Sequence, residues 1–132
     1  MTAKELFVDK DYNCAETVLR YANENYQLRL DDRSIKLLSG FGGGCGCGNI
    51  CGVLAASIAV LGILFVKERA HEDPAFKAMC GEFTSGFEKA MGETSCAALK
   101  PVYFREDVRC LSLIEKGIDY LDSFLEQRLQ DR

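Results

Sequence analysis

The 132-residue sequence is poor in histidine and has no excess of positive charge. Its 16 Lys and Arg residues are outnumbered by 20 Asp and Glu residues, which gives a formal net charge of −4. Nucleic-acid binding needs a basic face that neutralises phosphates, so this balance argues against a nucleic-acid partner. The single histidine, His71, lies between Glu68 and Asp73 and is expected at a solvated helix end. A Cys–His nucleophile pair would have to use it and is therefore not favoured.

Features of exported, haem-binding and nucleotide-binding proteins are also missing. The N-terminus lacks the basic and apolar regions of a signal peptide, and no Cys-x-x-Cys-His haem-attachment motif occurs. The glycines fit neither the dinucleotide fingerprint nor a phosphate loop. We therefore expect a cytoplasmic protein. In that reducing compartment, clustered cysteines serve metal or redox chemistry more often than structural bridges.

Cysteine and glycine are instead concentrated in one segment, residues 42–52, which holds three cysteines and six glycines in eleven positions. Glycine lets the backbone adopt positive φ and approach other atoms closely. Cysteine supplies the softest ligand and the best nucleophile among the side chains. The pattern favours thiolates held around a metal, a cluster or a redox partner over a flexible turn with incidental thiols. Seven cysteines in all, an odd number, cannot all pair within the chain.

The sequence predicts one all-α domain over residues 1–132, with four to six helices in a bundle-like arrangement. Residues 50–66 carry no charge and are expected to form a buried apolar helix at its centre, not a membrane span. Asn13 and Glu16 have the spacing of a capping box. A helix should follow Asp31 or Asp32 and end at Gly40. Further helices are expected over 74–92, over a turn that Pro101 ends, and from 106 or 107 onward.

Four cysteines fall near predicted helix starts: Cys14, Cys51, Cys96 and Cys110. The positive end of a helix lowers the pKa of a nearby thiol, so we expect low pKa values at Cys14 and Cys51. Converging starts would form a pocket that stabilises a thiolate or an anion. Cys80 lies in an aromatic and methionine stripe and is expected to act as a small buried hydrophobe.

The chain resembles a family of redox-active proteins named for the C_GCAxxG_C_C cysteine pattern, which also occurs as a domain of split-Soret cytochromes. Residues 13–15 resemble its opening element, and residues 41–44 with Cys51-Gly52 and the small residues after them resemble its central element. Cys96 and Cys110 resemble its last two cysteines. The similarity extends over about residues 12–118. Val53 and Ala56 depart from the pattern, and Cys45, Cys47 and Cys80 are extra to it.

The resemblance implies a redox function and, from the cytochrome version, an iron-sulfur cluster. Our first hypothesis is an electron-transfer protein in which Cys14, Cys51, Cys96 and Cys110 bind a cluster of the 2Fe-2S type. The second is a metal-free thiol-disulfide redox protein with Cys45, Cys47 or Cys51 as the attacking thiol. The third is a structural zinc domain with the same four ligands as the first. The sequence does not decide whether the protein is an enzyme, and it does not identify the redox partner.

The last predicted helix has apolar residues at both Leu113 and Ile114 and at both Phe124 and Leu125. This apolar face is wider than one buried stripe requires. Two-fold pairing is the commonest way to cover such a face, so we expect a homodimer.

Overall fold

The computed structural model describes residues 1–130, and these residues fold almost entirely into helices. The α-helices are α1 (Cys14–Asn25), α2 (Asp32–Ile35), α3 (Gly52–Phe65), α4 (Pro74–Met91), α5 (Cys96–Tyr103) and α6 (Leu111–Gln130). Short 3-10 or π turns cover Glu5–Asp9, Lys36–Phe41, Gly44–Gly48 and Ala70–Glu72. Pairing between extended segments in residues 1–130 is limited to two isolated bridges, 50 with 95 and 105 with 109. The predicted all-α fold is confirmed.

The start of α1 is set by the predicted capping box. The Glu16 backbone N–H donates to Asn13 Oδ1 at 2.9 Å, and the Asn13 N–H donates to Glu16 Oε1 at 3.0 Å. Asn13 Nδ2 also donates to the Ser39 carbonyl at 2.8 Å. These bonds make Cys14 the first residue of α1 and tie that helix start to the segment that leads into the glycine-rich loop.

Helix α3 lies at the centre of the fold, as its lack of charge predicts. It packs against α1, α4 and α6, and Val53, Val60 and Leu61 are fully buried. Its buried hydroxyl, Ser57 Oγ, donates to the Val53 carbonyl at 2.8 Å, so no polar atom of this side chain is left unpaired. The helix is shorter than predicted and covers Gly52–Phe65, with Ile50 partly exposed outside it. No helix within residues 1–130 is long and apolar enough to span a membrane.

Two predicted helix boundaries near the C-terminus are wrong. Pro101 lies inside α5 and does not end it, since the helix continues to Tyr103 and the Phe104 N–H donates to the Lys100 carbonyl at 2.9 Å. Pro101 cannot donate a hydrogen bond to the Ala97 carbonyl, and the helix extends only two residues beyond it. Helix α6 starts at Leu111 and not at 106 or 107. The Arg105 and Arg109 backbones exchange hydrogen bonds of 2.9 and 2.6 Å, which close a tight turn before it.

The helix predicted to run to Gly40 divides into two parts. Asp31 caps it, with its carboxylate accepting from the Ser34 N–H at 2.8 Å, but α2 ends at Ile35. A 3-10 turn over Lys36–Phe41 replaces the remainder. This turn leads the chain to the glycine-rich loop.

The wide apolar face of α6 is covered within the chain. Leu113 and Ile114 are both buried, as is Leu125, and the Phe124 ring lies edge-on to Phe83 of α4 at 5.0 Å. The fold therefore buries three of the four residues on which the sequence argument for a homodimer depends and partly buries the fourth, Phe124, so this face gives no support for pairing.

Candidate functional site

The starts of α1 and α5 and the turn before α6 surround a cavity of about 200 Å³. Three of the four predicted ligands, Cys14, Cys96 and Cys110, line it. The other lining residues are Phe7, Asn13, Gly43, Lys100, Phe104 and Arg109. The structure thus brings together thiols from positions 14, 96 and 110 of the chain. We call this feature the thiol cavity.

Backbone pairing places the fourth cysteine next to the thiol cavity. The Cys51 N–H donates to the Thr94 carbonyl at 2.8 Å, and the Cys96 N–H donates to the Asn49 carbonyl at 2.6 Å. These two bonds flank the bridge between residues 50 and 95, so the starts of α3 and α5 are held together. Cys51 is only 2% exposed and is not among the lining residues. Cys51 is therefore buried near the cavity and forms no part of its wall.

Gly52 allows the Cys14 sulfur to approach the residue after Cys51. A Cβ at position 52 would lie 2.5 Å from Cys14 Sγ and 3.0 Å from the Phe41 carbonyl oxygen. Both distances are too short for a carbon atom. A glycine is required here because α1 and α3 meet with no room for a side chain.

The glycine-rich loop makes a left-handed turn beside the same cysteines. Gly43, Gly44, Cys45 and Gly46 all have positive φ, between 60° and 75°. A Cβ at position 44 would lie 2.5 Å from the Asn49 nitrogen and 2.6 Å from Cys96 Cβ. The backbone N–H of Gly43, at the start of the turn, acts to lower the pKa of the Cys14 thiol. The loop backbone therefore comes close to the cysteines where a side chain would block the approach.

The expected low pKa values at Cys14 and Cys51 are wrong. Burial raises the pKa of the Cys14 thiol and raises that of Cys51 to about 11. N–H groups at the helix starts do lower both pKa values, those of Ala15 at Cys14 and of Val53 and Leu54 at Cys51. Their effect is smaller than the cost of placing a thiolate in a medium of low dielectric constant.

The cavity thiols also disfavour ionisation of one another. Burial, followed by the charges of Cys96 and Cys14, raises the pKa of Cys110, while Lys100 and Arg109 lower it. The Cys51 pKa is raised in part by Cys14 and Cys96. All four cysteines thus lie close enough to interact electrostatically. A cation bound among them would relieve this repulsion and favour the thiolates.

The metal-free protein is expected to lose stability in alkaline solution through Cys51. The folded pKa of about 11 is above the ordinary value of 9.0, so the unfolded chain releases this proton first. The stabilisation is complete below pH 9 and is lost as the pH rises through about 11. The loss is about 2 kcal/mol. Chemical denaturation of wild type and C51A between pH 7 and 11 checks this, and an equal decline in both proteins would contradict it.

The remaining cysteines lie outside the thiol cavity. Cys45 and Cys47 are exposed, and the Cys47 thiol donates weakly to the Gly44 carbonyl at 3.6 Å. Cys80 on α4 is half-buried, and burial raises the pKa of its thiol. His71 is exposed, as predicted. Of the three thiols considered for disulfide exchange, Cys51 is the least suited, because it is buried and its pKa is raised to about 11.

The charged residues on the cavity wall were missed in the sequence. Lys100 lies four positions after Cys96, which places both on one face of α5, and Arg109 directly precedes Cys110.

Within residues 1–130, no group of three or more His, Cys, Asp or Glu residues has the spacing to hold a single metal ion.

Comparison with known proteins gives one match. Residues 12–124 match the family model described as "Putative redox-active protein (C_GCAxxG_C_C)". No curated protein and no solved structure matches the chain significantly.

Proposed function

The chain belongs to the C_GCAxxG_C_C family, and we propose that it is a small redox or electron-transfer protein that binds an iron-sulfur cluster of the 2Fe-2S type. Cys14, Cys51, Cys96 and Cys110 are the proposed ligands. One observation carries the proposal: Cys14, Cys96 and Cys110 line one cavity, and Cys51 is buried near it within electrostatic range.

The donor set fits such a cluster. Four thiolates satisfy the two irons, with two on each iron, so three sulfurs need not surround one point. Each of the four cysteines lies at or directly before the start of a helix, and nearby backbone N–H groups act to lower the pKa of Cys14 and Cys51. When bound, the cluster accepts and donates one electron.

The chain's own residues supply the surroundings. Cys51 is anchored through the Thr94 carbonyl and kept from water by burial. The Gly43 N–H acts to lower the pKa of Cys14, and backbone N–H groups near ligand sulfurs tune the potential of a cluster. Phe7 and Phe104 supply apolar surface to the cavity wall. Because the thiol pKa values are raised, the cysteines must release protons when they bind the cluster. The fraction of protein that holds a cluster should therefore rise with pH.

Anaerobic purification with iron, sulfide and zinc analysis and a visible spectrum tests the proposal. We expect a brown protein with about two irons and two sulfides per chain, because the four proposed thiolates match the ligand demand of a 2Fe-2S cluster. Zinc in a colourless protein would instead support the structural zinc domain. A colourless protein that stays free of iron and zinc after reconstitution with iron and sulfide would contradict both metal hypotheses.

A second candidate function is metal-free thiol-disulfide exchange at Cys45 and Cys47. Both thiols are exposed in the glycine-rich loop. Cys45 has φ of 60°, a conformation that residues with a Cβ rarely adopt and that often marks functional sites. Turnover of a disulfide substrate by the metal-free protein would support this function.

The cytoplasmic location, the redox partner and the homodimer remain part of the proposal. The most exposed large apolar side chains within residues 1–130 are those of Leu37, Ile63 and Val102, and none of them is on α6. A mass of one chain by light scattering at micromolar concentration would contradict the homodimer.

A further inference from the structure

We propose that the thiol cavity selects small negatively charged ligands, and that Lys100 and Arg109 are the residues that attract them. The ligand is either a small disulfide that carries carboxylates or an iron-sulfur cluster, which has a net negative charge together with its cysteine thiolates. The charge selectivity of the cavity stands on its own geometry. Only the assignment of the anion to a cluster rests on the proposed function.

Lys100 contributes a charge that no carboxylate within residues 1–130 neutralises. Within residues 1–130 it forms no ion pair, and its Nζ lies 5.1 Å from the centre of the Phe104 ring. A cation–π contact positions an ammonium group without cancelling its charge. Both Lys100 and Phe104 line the cavity, so the ammonium group is held at its edge.

Arg109 is fixed more firmly and is partly neutralised. Its Nη2 donates to the Phe7 carbonyl at 2.7 Å, and its guanidinium lies 4.2 Å from the centre of the Phe7 ring. Its Nη1 lies 3.4 Å from Asp11 Oδ1, but the Asp11 side chain is 84% exposed. Solvent screens such an exposed pair, so part of the Arg109 charge still acts on the cavity.

The arrangement of charge around the cavity has one sign. Its lining residues include Lys100 and Arg109 but no Asp or Glu, although the chain as a whole has a net charge of −4. Two of the thiols, Cys14 and Cys96, are first residues of α-helices, where the helix dipole also favours negative charge. The electrostatic free energy of binding an anion is therefore more favourable at this cavity than elsewhere on the acidic protein surface.

Alkylation of the cavity thiols by two reagents of matched chemistry tests the inference. Iodoacetate is an anion and iodoacetamide is neutral, and in both reactions the thiolate displaces iodide to form a thioether. Both rates at one cysteine are proportional to its thiolate fraction, so their ratio does not depend on that fraction. The ratio therefore reports the effect of reagent charge. Peptide mapping of the metal-free protein gives this ratio for Cys110 and Cys96, with exposed Cys45 and Cys47 as internal references.

We expect the iodoacetate-to-iodoacetamide ratio to be higher at Cys110 and Cys96 than at Cys45 and Cys47. K100Q should lower the ratio at the cavity thiols about threefold, since one exposed unit charge is removed in a largely water-like dielectric. D11N should raise it about twofold by freeing Arg109 from its partner. K89Q, an exposed lysine near the end of α4, is the control and should change nothing. Equal ratios at cavity and loop thiols, or ratios unaffected by K100Q and D11N, would overturn the inference.

Two further arms distinguish the possible anions. Glutathione disulfide carries carboxylates and cystamine carries ammonium groups. In both, a protein thiolate attacks one sulfur, forms a mixed disulfide and releases the other half as a thiol. Faster modification of Cys110 by glutathione disulfide, with the difference reduced in K100Q, assigns the anion to a small disulfide. If the two disulfides react equally fast and K100Q gives a lower cluster yield than K89Q, the anion is assigned to the cofactor. A charge-selective cavity that never takes up iron and sulfide would leave the inference standing and refute the proposed cluster.

Discussion

C51S is expected to abolish iron-sulfur binding, whereas C45S and C47S should retain it. Serine has nearly the shape of cysteine but supplies no thiolate, and Cys51 is the proposed ligand with the least exposed side chain. Cys45 and Cys47 are exposed in the loop and do not line the thiol cavity. Iron and sulfide content after anaerobic reconstitution, with the visible spectrum, measures the effect.

C80S is the matched control for this comparison. Cys80 is half-buried on α4, outside the thiol cavity, so its loss should leave the metal content unchanged. Thermal unfolding of the metal-free variants establishes that C51S is folded. Equal loss of metal from C45S, C47S and C51S would contradict the choice of ligands and indicate a site on the glycine-rich loop. Loss of disulfide turnover in C45S and C47S, with no metal in any variant, would favour the exchange function.

F83A is expected to destabilise the protein by about 3–5 kcal/mol, because it removes a fully buried aromatic ring from a close-packed core. The Phe83 ring packs against Phe87, Tyr120 and Phe124 at centroid distances of 4.8–6.5 Å, and the contacts with Tyr120 and Phe124 join α4 to α6. Denaturant unfolding of the metal-free protein at pH 7 measures the loss.

The control for F83A is L37A, since Leu37 is 76% exposed and its truncation leaves no cavity. We expect its free energy of unfolding to lie within about 0.5 kcal/mol of wild type. A loss below about 1 kcal/mol in F83A would mean that the α4–α6 contact is not a stabilising part of the core. Such a result would leave the ligand assignment untouched, because Phe83 lies outside the thiol cavity.

Local signals in the sequence were sufficient for much of the fold. The Asn13–Glu16 capping box, the Asp31 cap and the uncharged stretch of α3 each predict a helix from interactions within a few residues. The α5 and α6 boundaries were misjudged where local signals conflicted. Pro101 reads as a stop but is tolerated near the helix end, and acidic residues 106 and 107 read as a start but lie in the turn closed by Arg105 and Arg109.

The sequence by itself determined that the chain is helical, that one apolar helix is central, and that four cysteines lie at or beside helix starts. Tertiary structure decided the burial of those thiols and hence their pKa values. Helix starts predict low pKa values at Cys14 and Cys51, yet burial outweighs the helix N–H groups and raises both. Likewise, only folding places Lys100 and Arg109 on the cavity wall and buries Cys51 near it. The physical reason is that capping and periodicity act between neighbours along the chain, whereas desolvation and cavity charge arise from segments far apart in sequence.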